Sequence, residues 1–224
     1  RRTLFWLPAL GLSPRIQAAP ATETLHAWNR LGFGPRPGDL ARGGGWLELL
    51  EQQLQPQPLP TALQQRLDAR PAVNLAERVE TFRRLRRQQR AADETPRREL
   101  VRQALHEAAE ARLLRALQSP NQLEERLVDF WFNHFNVFFD KGLCRMLVAD
   151  YEARAIRPHV FGRFRDLLGA VAQHPAMLFY LDNAQSTRAG FQGAGGSRGV
   201  NENYARAPPG PHALGAGAGY QPAG

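Results

Sequence analysis

The sequence predicts an all-α protein: an irregular multi-helix globular domain followed by a Gly/Pro-rich, disordered C-terminal tail. Three observations carry that expectation. Apolar residues recur at helical spacing through most of residues 22–183. No strict apolar–polar alternation bounded by hairpin signals appears, so a sheet is not expected. Residues 184–224 hold 10 of the chain's 20 glycines together with Pro208, Pro209, Pro211 and Pro222. Such a tail has too little apolar surface to offset a backbone ordering cost of ~1–2 kcal/mol per residue. With 224 residues, 43% apolar and 22% charged, the chain can bury one substantial core or at most two small ones. It divides into a signal-like segment (1–21), a helical domain (22–183) and the tail (184–224).

Arg1-Arg2 precede the apolar stretch Leu4 to Leu12 and then the small residues Ala18-Ala19-Pro20-Ala21. Positive, then apolar, then small is the layout of a secretory signal, and paired arginines also fit twin-arginine export. The expected location is therefore periplasmic or extracellular. Thr22 or Thr24 can cap a helix bearing Leu25, Trp28 and Leu31, which Gly32 to Gly38 then stop. Asp39 can cap the next segment, striped by Trp46, Leu49, Leu50 and Leu54 and ended by Pro56, Pro58 and Pro60. Residues 61–118 are rich in helix formers, with interruptions expected at Pro71 and Pro96. Leu100, Leu105, Ala108, Leu113 and Leu117 mark the expected buried side, and Ser119-Pro120 end the run.

The strongest pattern lies between Asn121 and Phe139. Leu123, Leu127, Trp131, His134, Phe135 and Phe138 share one helical face, with Glu124, Glu125 and Asp129 largely on the other. Asn121 is placed to cap the start. His134, on that aromatic face, reads either as a satisfied core imidazole or as a general base or ligand. Further on, Asp150 and Arg154 stand at i,i+4, and Pro158 can open a helix whose stripe is Phe161, Phe164, Leu168 and Val171. Pro175, after His174, breaks that helix. Met177, Leu178 and Leu181 bury a short turn, and Asp182-Asn183 open a polar loop. Asn201 can cap a last turn in which Glu202 and Arg206 pair.

The formal net charge is +8, and all but one of the 29 basic residues are arginine, Lys141 being the exception. The densest run, Arg83 to Arg90, has no interleaved aromatic residues and is diluted by Glu77, Glu80, Asp93, Glu94 and Glu99. It reads as a solvated helix face, and nucleic acid is not an expected partner. One cysteine, Cys144, excludes an intramolecular disulfide framework and a multi-cysteine metal site. No apolar run approaches the ~20 residues that span a bilayer, so no transmembrane segment is expected. There is no GxSxG elbow, no phosphate loop ending in GK(S/T), no HExxH and no calcium-loop consensus. Gly193 to Gly199 is glycine-rich but has no expected strand before it, which leaves a nucleotide reading weak. The six histidines lack helical metal-site spacing, so neither a metal nor a cofactor is expected.

Four strings, in order, resemble one family: LHAWNRLGFGPRPGDL (Leu25 to Leu40), WFNHF (Trp131 to Phe135), IRPHVFGRFRDLLGAVAQHPAMLFYLDNAQS (Ile156 to Ser186) and VNENYAR (Val200 to Arg206). They are similar to the bacterial domain-of-unknown-function family DUF1800, over about Leu25 to Tyr220. The resemblance implies a large, mostly helical, often exported protein with no accepted catalytic residues. Family genes often neighbour those of another exported, uncharacterised family, which implies a shared surface or periplasmic role. After Arg206 the chain departs from the family pattern. His212, Leu214, Gly215, Gly219 and Tyr220 still align, but acidic and leucine positions are replaced by Ala, Gly and Pro. With arginine at position 1 and a Gly/Pro tract at the end, the expectation is a piece of a longer product, extended or mobile after Ala207, lacking the function of the complete domain.

Two functional classes follow. The first is an exported protein with a binding or assembly role at the cell envelope, partnered by an envelope protein. The alternative is a periplasmic enzyme using a His/Asp/Glu cluster for acid–base or metal-assisted chemistry. Its candidate catalytic residues are His134, Asp182, Glu202 and Arg206; the candidate binding residues are Asn133, His159, His174, Asn183, Asn203 and His212.

Overall fold

Helix boundaries follow the breakers in the sequence. The computed structural model describes residues 21–69, 74–88, 94–186, 191–193 and 196–198. Over these, α1 (Ala21–Leu31) ends at Gly32, and a turn with Gly34 and Gly38 at positive φ leads through a 3-10 turn (Leu40–Arg42) to α2 (Trp46–Gln53). After the Pro56–Pro60 break come α3 (Thr61–Asp68) and α4 (Leu75–Gln88). Then follows the long α5 (Thr95–Gln118). Pro96 does not interrupt it but stands in its first turn, where proline lacks only an N–H that would have no helical acceptor. Next are α6 (Gln122–His134) and α7 (Cys144–Tyr151). Helix α7 runs on into a π turn (Glu152–Ile156) and a 3-10 turn (Arg157–His159). Pro158 therefore sits in a 3-10 turn, and α8 (Phe164–Gln173) begins further on. His174 separates α8 from α9 (Pro175–Tyr180), as the His-Pro step predicts.

The described part is thus all-α, with one departure beyond a 3-10 turn at Asn183–Gln185. Strands β1 (Phe191–Gly193) and β2 (Gly196–Arg198) pair antiparallel with Phe191 opposite Arg198. Three residues per strand, three of the six being glycine or serine, are too few to write an alternation pattern. The strand that precedes the glycine-rich string is followed by a second strand rather than a helix. The strand–loop–helix geometry of a phosphate loop is therefore not formed there. The expectation for the chain beyond Ala207, and the signal-like residues 1–20, lie outside the described residues.

The core is built by α6 to α9. Val128, Phe135, Leu147, Tyr151, Ile156, Leu167, Val171 and Met177 are buried together. Phe82 of α4, Ala104 of α5 and Met146 of α7 form a smaller adjoining cluster. Several expected faces are rotated. On α5 the buried residues are Ala104 and Leu114, while Leu113 and Leu117 are each 59% exposed. On α6 the fully buried positions are Gln122, Glu125 and Val128; Trp131 is half-buried, and Phe138 lies beyond the helix and is exposed. Phe161 and Phe164 are exposed in the same way, with Leu167 and Val171 taking the core face of α8. Phe164 nevertheless covers Trp131 and Phe135, at ring centroids 5.7 and 6.2 Å away.

The N-terminal elements are joined to this core by polar contacts at the α5–α6 turn. Asn121 does not cap α6 with its side chain. Instead its amide exchanges two 2.8 Å hydrogen bonds with the backbone of Gln57. Gln53 donates to Pro120 O at 2.9 Å and accepts from Leu123 N at 3.0 Å. Gln122 donates to Ser119 O and Ala116 O, and its oxygen accepts from Phe33 N. Arg36 donates to Ser119 O at 2.7 Å. Gly32 has no side chain because none fits: a Cβ there would stand 2.8 Å from Gln122 Cβ.

Burial ranks the aromatic residues of α6 and its C-cap Phe135 differently from their spacing. Phe135→Ala should destabilise by ~3–5 kcal/mol. Trp131→Ala should cost less, and Leu113→Ala close to nothing. Urea unfolding of the three variants checks the order, and equal midpoints for Phe135→Ala and Leu113→Ala would refute it.

Candidate functional site

His174 is the sequence-predicted residue with the most defined chemistry. It is buried at the α8–α9 junction. Its Nδ1 accepts the Ala176 N–H at 3.1 Å, capping α9, so the ring proton sits on Nε2 and is donated to Asp150 Oδ2 at 3.0 Å. Asp150 in turn receives Arg154 Nε at 2.7 Å, the i,i+4 pair the sequence predicts. The Tyr151 ring lies 5.2 Å from the imidazole, and its hydroxyl donates to Phe135 O at 2.8 Å. Burial pushes the Tyr151 phenol well above its ordinary range. Burial lowers the His174 pKa, outweighing the hydrogen bond and charge of Asp150, and Arg154 adds to the lowering. The group is therefore a neutral imidazole whose two nitrogens are both engaged. It positions two helices, and accepting a further proton would cost it the α9 cap.

The other candidates fall into separate surroundings. His134 closes α6 among Phe130, Trp131 and Phe135, edge-on to Trp131 at 5.5 Å. Asn133 donates back to Asp129 on its own helix. Asp182, in the left-handed region at φ 59°, pairs with Lys141 at 2.8 Å, and Asn183 accepts from the Ser186 hydroxyl at 2.6 Å. Lys141 also donates to Tyr180 O, so this pair ties the loop before α7 to the end of α9. His159 is half-buried in the 3-10 turn, where its carbonyl accepts from Gly162 N. Glu202, Asn203, Arg206 and His212 lie outside the described residues. Among the described residues no three His, Cys, Asp or Glu side chains are grouped so as to hold a metal ion.

A charged network that the spacing did not reveal crosses the same core. Glu125, its side chain 4% exposed, takes a bidentate pair from Arg157, two hydrogen bonds of 2.9 Å. Arg157 also reaches Glu152 at 3.1 Å and Glu124 at 3.5 Å. The π turn makes the first of these contacts possible. Residues five apart diverge on an α-helix, but i→i+5 bonding, seen in the Arg157 N–H to Glu152 O bond, brings them to one side. Burial would lower the Arg157 pKa, but the hydrogen bonds and charge of Glu125, and then Glu152, outweigh it and hold the guanidinium firmly protonated. Burial raises the Glu125 carboxyl against its arginine partners. Both groups stay charged, since a protonated acid could not accept both bonds. Arg115 lies beside Arg157, and burial followed by that like charge lowers its pKa. Arg112 stacks over Phe132 at 4.5 Å and pairs with Asp129 at 2.7 Å. These arginines and Arg78 wall a groove of about 550 Å³ floored by Ala104, Ala108, Ala149 and Ala153. Their carboxylate partners, Glu107 for Arg78 among them, keep the groove balanced in charge. Such a network orients helices; it does not present a reactive group.

Two outcomes are expected. Glu125→Ala should destabilise by ~3–5 kcal/mol, because it strands a buried guanidinium, while Glu125→Leu combined with Arg157→Leu should cost much less. Chemical denaturation of both distinguishes a stranded charge from lost packing. For His174, the unfolded chain binds more protons than the native chain below the ordinary imidazole value of 6.5. Its contribution to stability is full above that pH, falls as pH drops through it, and levels off below the lowered native value. Unfolding at about pH 8 and about pH 5 should show a larger drop for the native sequence than for His174→Gln. Equal drops would refute the assignment.

No curated protein matches the chain, and no solved structure does. A family is nevertheless found, and it is the one that the four strings point to. Residues 26–223, nearly the whole chain, match the family described as "Protein of unknown function (DUF1800)", and the chain belongs to that family.

Proposed function

We propose that this chain is an exported protein with a binding or assembly role at the cell envelope. One observation supports the reading above others. Leu25, Phe33, Leu40, Trp46, Leu47 and Leu54 are all exposed, within 30 consecutive residues of the N-terminal elements. Trp46 also adjoins Ala27, Leu31 and Leu50 around one shallow apolar cavity, and apolar surface gathered in this way is characteristic of association sites. Of the residues that could serve proton transfer, Asp182 and His174 are each held in structural pairs. No helix among the described residues is long and apolar enough to cross a membrane. The order of residues 1–21 supports export.

The test has two arms. A reporter fused after Ala21 should reach the periplasm, and replacing Arg1-Arg2 should retain it in the cytoplasm. The intact chain, expressed in a bacterial host, should sediment with the envelope fraction, and Leu47→Glu, at a side chain 56% exposed, should release it to the soluble fraction. A reporter that stays in the cytoplasm, or sedimentation indifferent to Leu47→Glu, would overturn the reading.

A further inference from the structure

Helices α1 and α2, the loop between them and the α5–α6 turn line an open cavity of about 320 Å³, at the low end of the ~300–1,000 Å³ of small-molecule sites. Its charged lining is balanced: Arg36 and Arg42 face Asp39 and Glu48. Asp39 is buried and fixed, accepting Arg36 N at 2.7 Å and pairing with Arg42 at 3.2 Å. Glu48 lies against bare backbone. Gly44 has φ +91°, and a Cβ there would stand 2.9 Å from Glu48 Oε2. The loop thus needs glycine for its turn. Gln52 donates to the other oxygen of Glu48 at 3.3 Å, a long bond that leaves acceptors on both side chains. The half-buried Trp28 also lines the cavity, and its N–H has no acceptor among the described residues.

These features select a ligand class. An anion would meet two carboxylates, and a cation two guanidinium groups. An apolar molecule would strip water from the exposed Arg36, Arg42 and Glu48 and from the Gln52 amide without replacing any hydrogen bond. A sugar ring meets each requirement. Its hydroxyls both donate to carboxylates and accept from guanidinium and amide groups, and its C–H face can rest on the indole. We propose that this cavity binds a neutral saccharide unit. The inference rests on the binding role above and supplies a ligand class for it; the lining residues, rather than the exposed leucines, carry it.

The experiment is calorimetric titration of the intact chain with cellotriose, maltotriose and chitotriose, and with a galacturonate trimer as the anionic counterpart. At least one neutral trimer should bind at millimolar or lower concentration, and the galacturonate trimer more weakly. Gln52→Ala, at an exposed position that leaves folding intact, should weaken binding about tenfold or more, equivalent to one buried polar contact. Trp28→Leu should do the same. Absence of heat with all three neutral trimers, tighter binding of galacturonate, or affinity unchanged by Gln52→Ala would each overturn the assignment. Leu47→Glu separates this inference from the preceding one, since Leu47 does not line the cavity. A chain that Leu47→Glu releases from the envelope, but that takes up no sugar, overturns the saccharide site alone. A chain that takes up sugar, unaffected by Leu47→Glu, yet never sediments with the envelope, overturns the envelope role alone.

Discussion

Arg157 is the residue on which the helical body turns. Its guanidinium holds Glu125 and Glu124 of α6 and Glu152 at the start of the π turn. A charge this deep is tolerated only while every partner is in place, so the network acts as a constraint more than as a source of stability. The constraint explains the irregular stretch after α7. A regular helix through Glu152–Ile156 would carry Glu152 away from Arg157 and remove one of its three carboxylate partners. The π turn corrects the register, while Ala155 and Ile156 still reach the core. Once Arg157 is fixed, the 3-10 turn behind it redirects the chain into α8. His174 and Asp150 then close α8 and α9 against α7 in the same manner, with a hydrogen bond that fixes direction rather than with apolar contact alone.

Much of this was legible in the sequence, wherever the determinant is local. Proline and glycine breaks set the ends of α1, α2, α5 and α8. The Asp150–Arg154 pair follows from i,i+4 spacing, and the split between α8 and α9 follows from the His-Pro step. What spacing misread were faces. On α6 a carboxylate counts as polar, and Glu125 was accordingly placed outward. Its partner lies 32 residues on, and no helical periodicity encodes a pairing at that distance. On α5 the leucines outweigh the equally numerous alanines as apolar mass. The close approach of α4 and α7 instead selects the small Ala104, leaving Leu113 and Leu117 in solvent.

The candidate site shows the same division. His174 and Asp150 were both singled out, but for unrelated reasons, one as a lone histidine and the other as half of a surface ion pair. Only the fold brings them together, across α7 and the α8–α9 junction. Asp182 was read as turn chemistry or catalysis, and it is in a turn. Its left-handed backbone suits a residue whose short polar side chain tolerates that region. No helical spacing links Asp182 to its partner Lys141, the single lysine of the chain, 41 residues away. The arginine-walled groove could have been suspected from the clustering of Arg112 and Arg115 on α5, but only half of its alanine floor, Ala104 and Ala108, is on α5; Ala149 and Ala153 come from α7 and the π turn, which no local pattern assigns to α5.

The N-terminal elements differ in kind from this body. They are attached through the amides of Gln53, Asn121 and Gln122 and the carbonyls of Ser119 and Pro120, several of them buried. Hydrogen-bonded amides specify one orientation, because any slip strands donors and acceptors away from water. Apolar contact tolerates sliding, and here it is used sparingly: Leu49 and Ala27 are buried, while most of the larger apolar side chains face solvent. A layer oriented by polar bonds, with its apolar residues left outward, supports the association role proposed above. Had those leucines served to hold the layer to the core, they would be buried beneath it, and the polar turn at Ser119–Gln122 would be redundant.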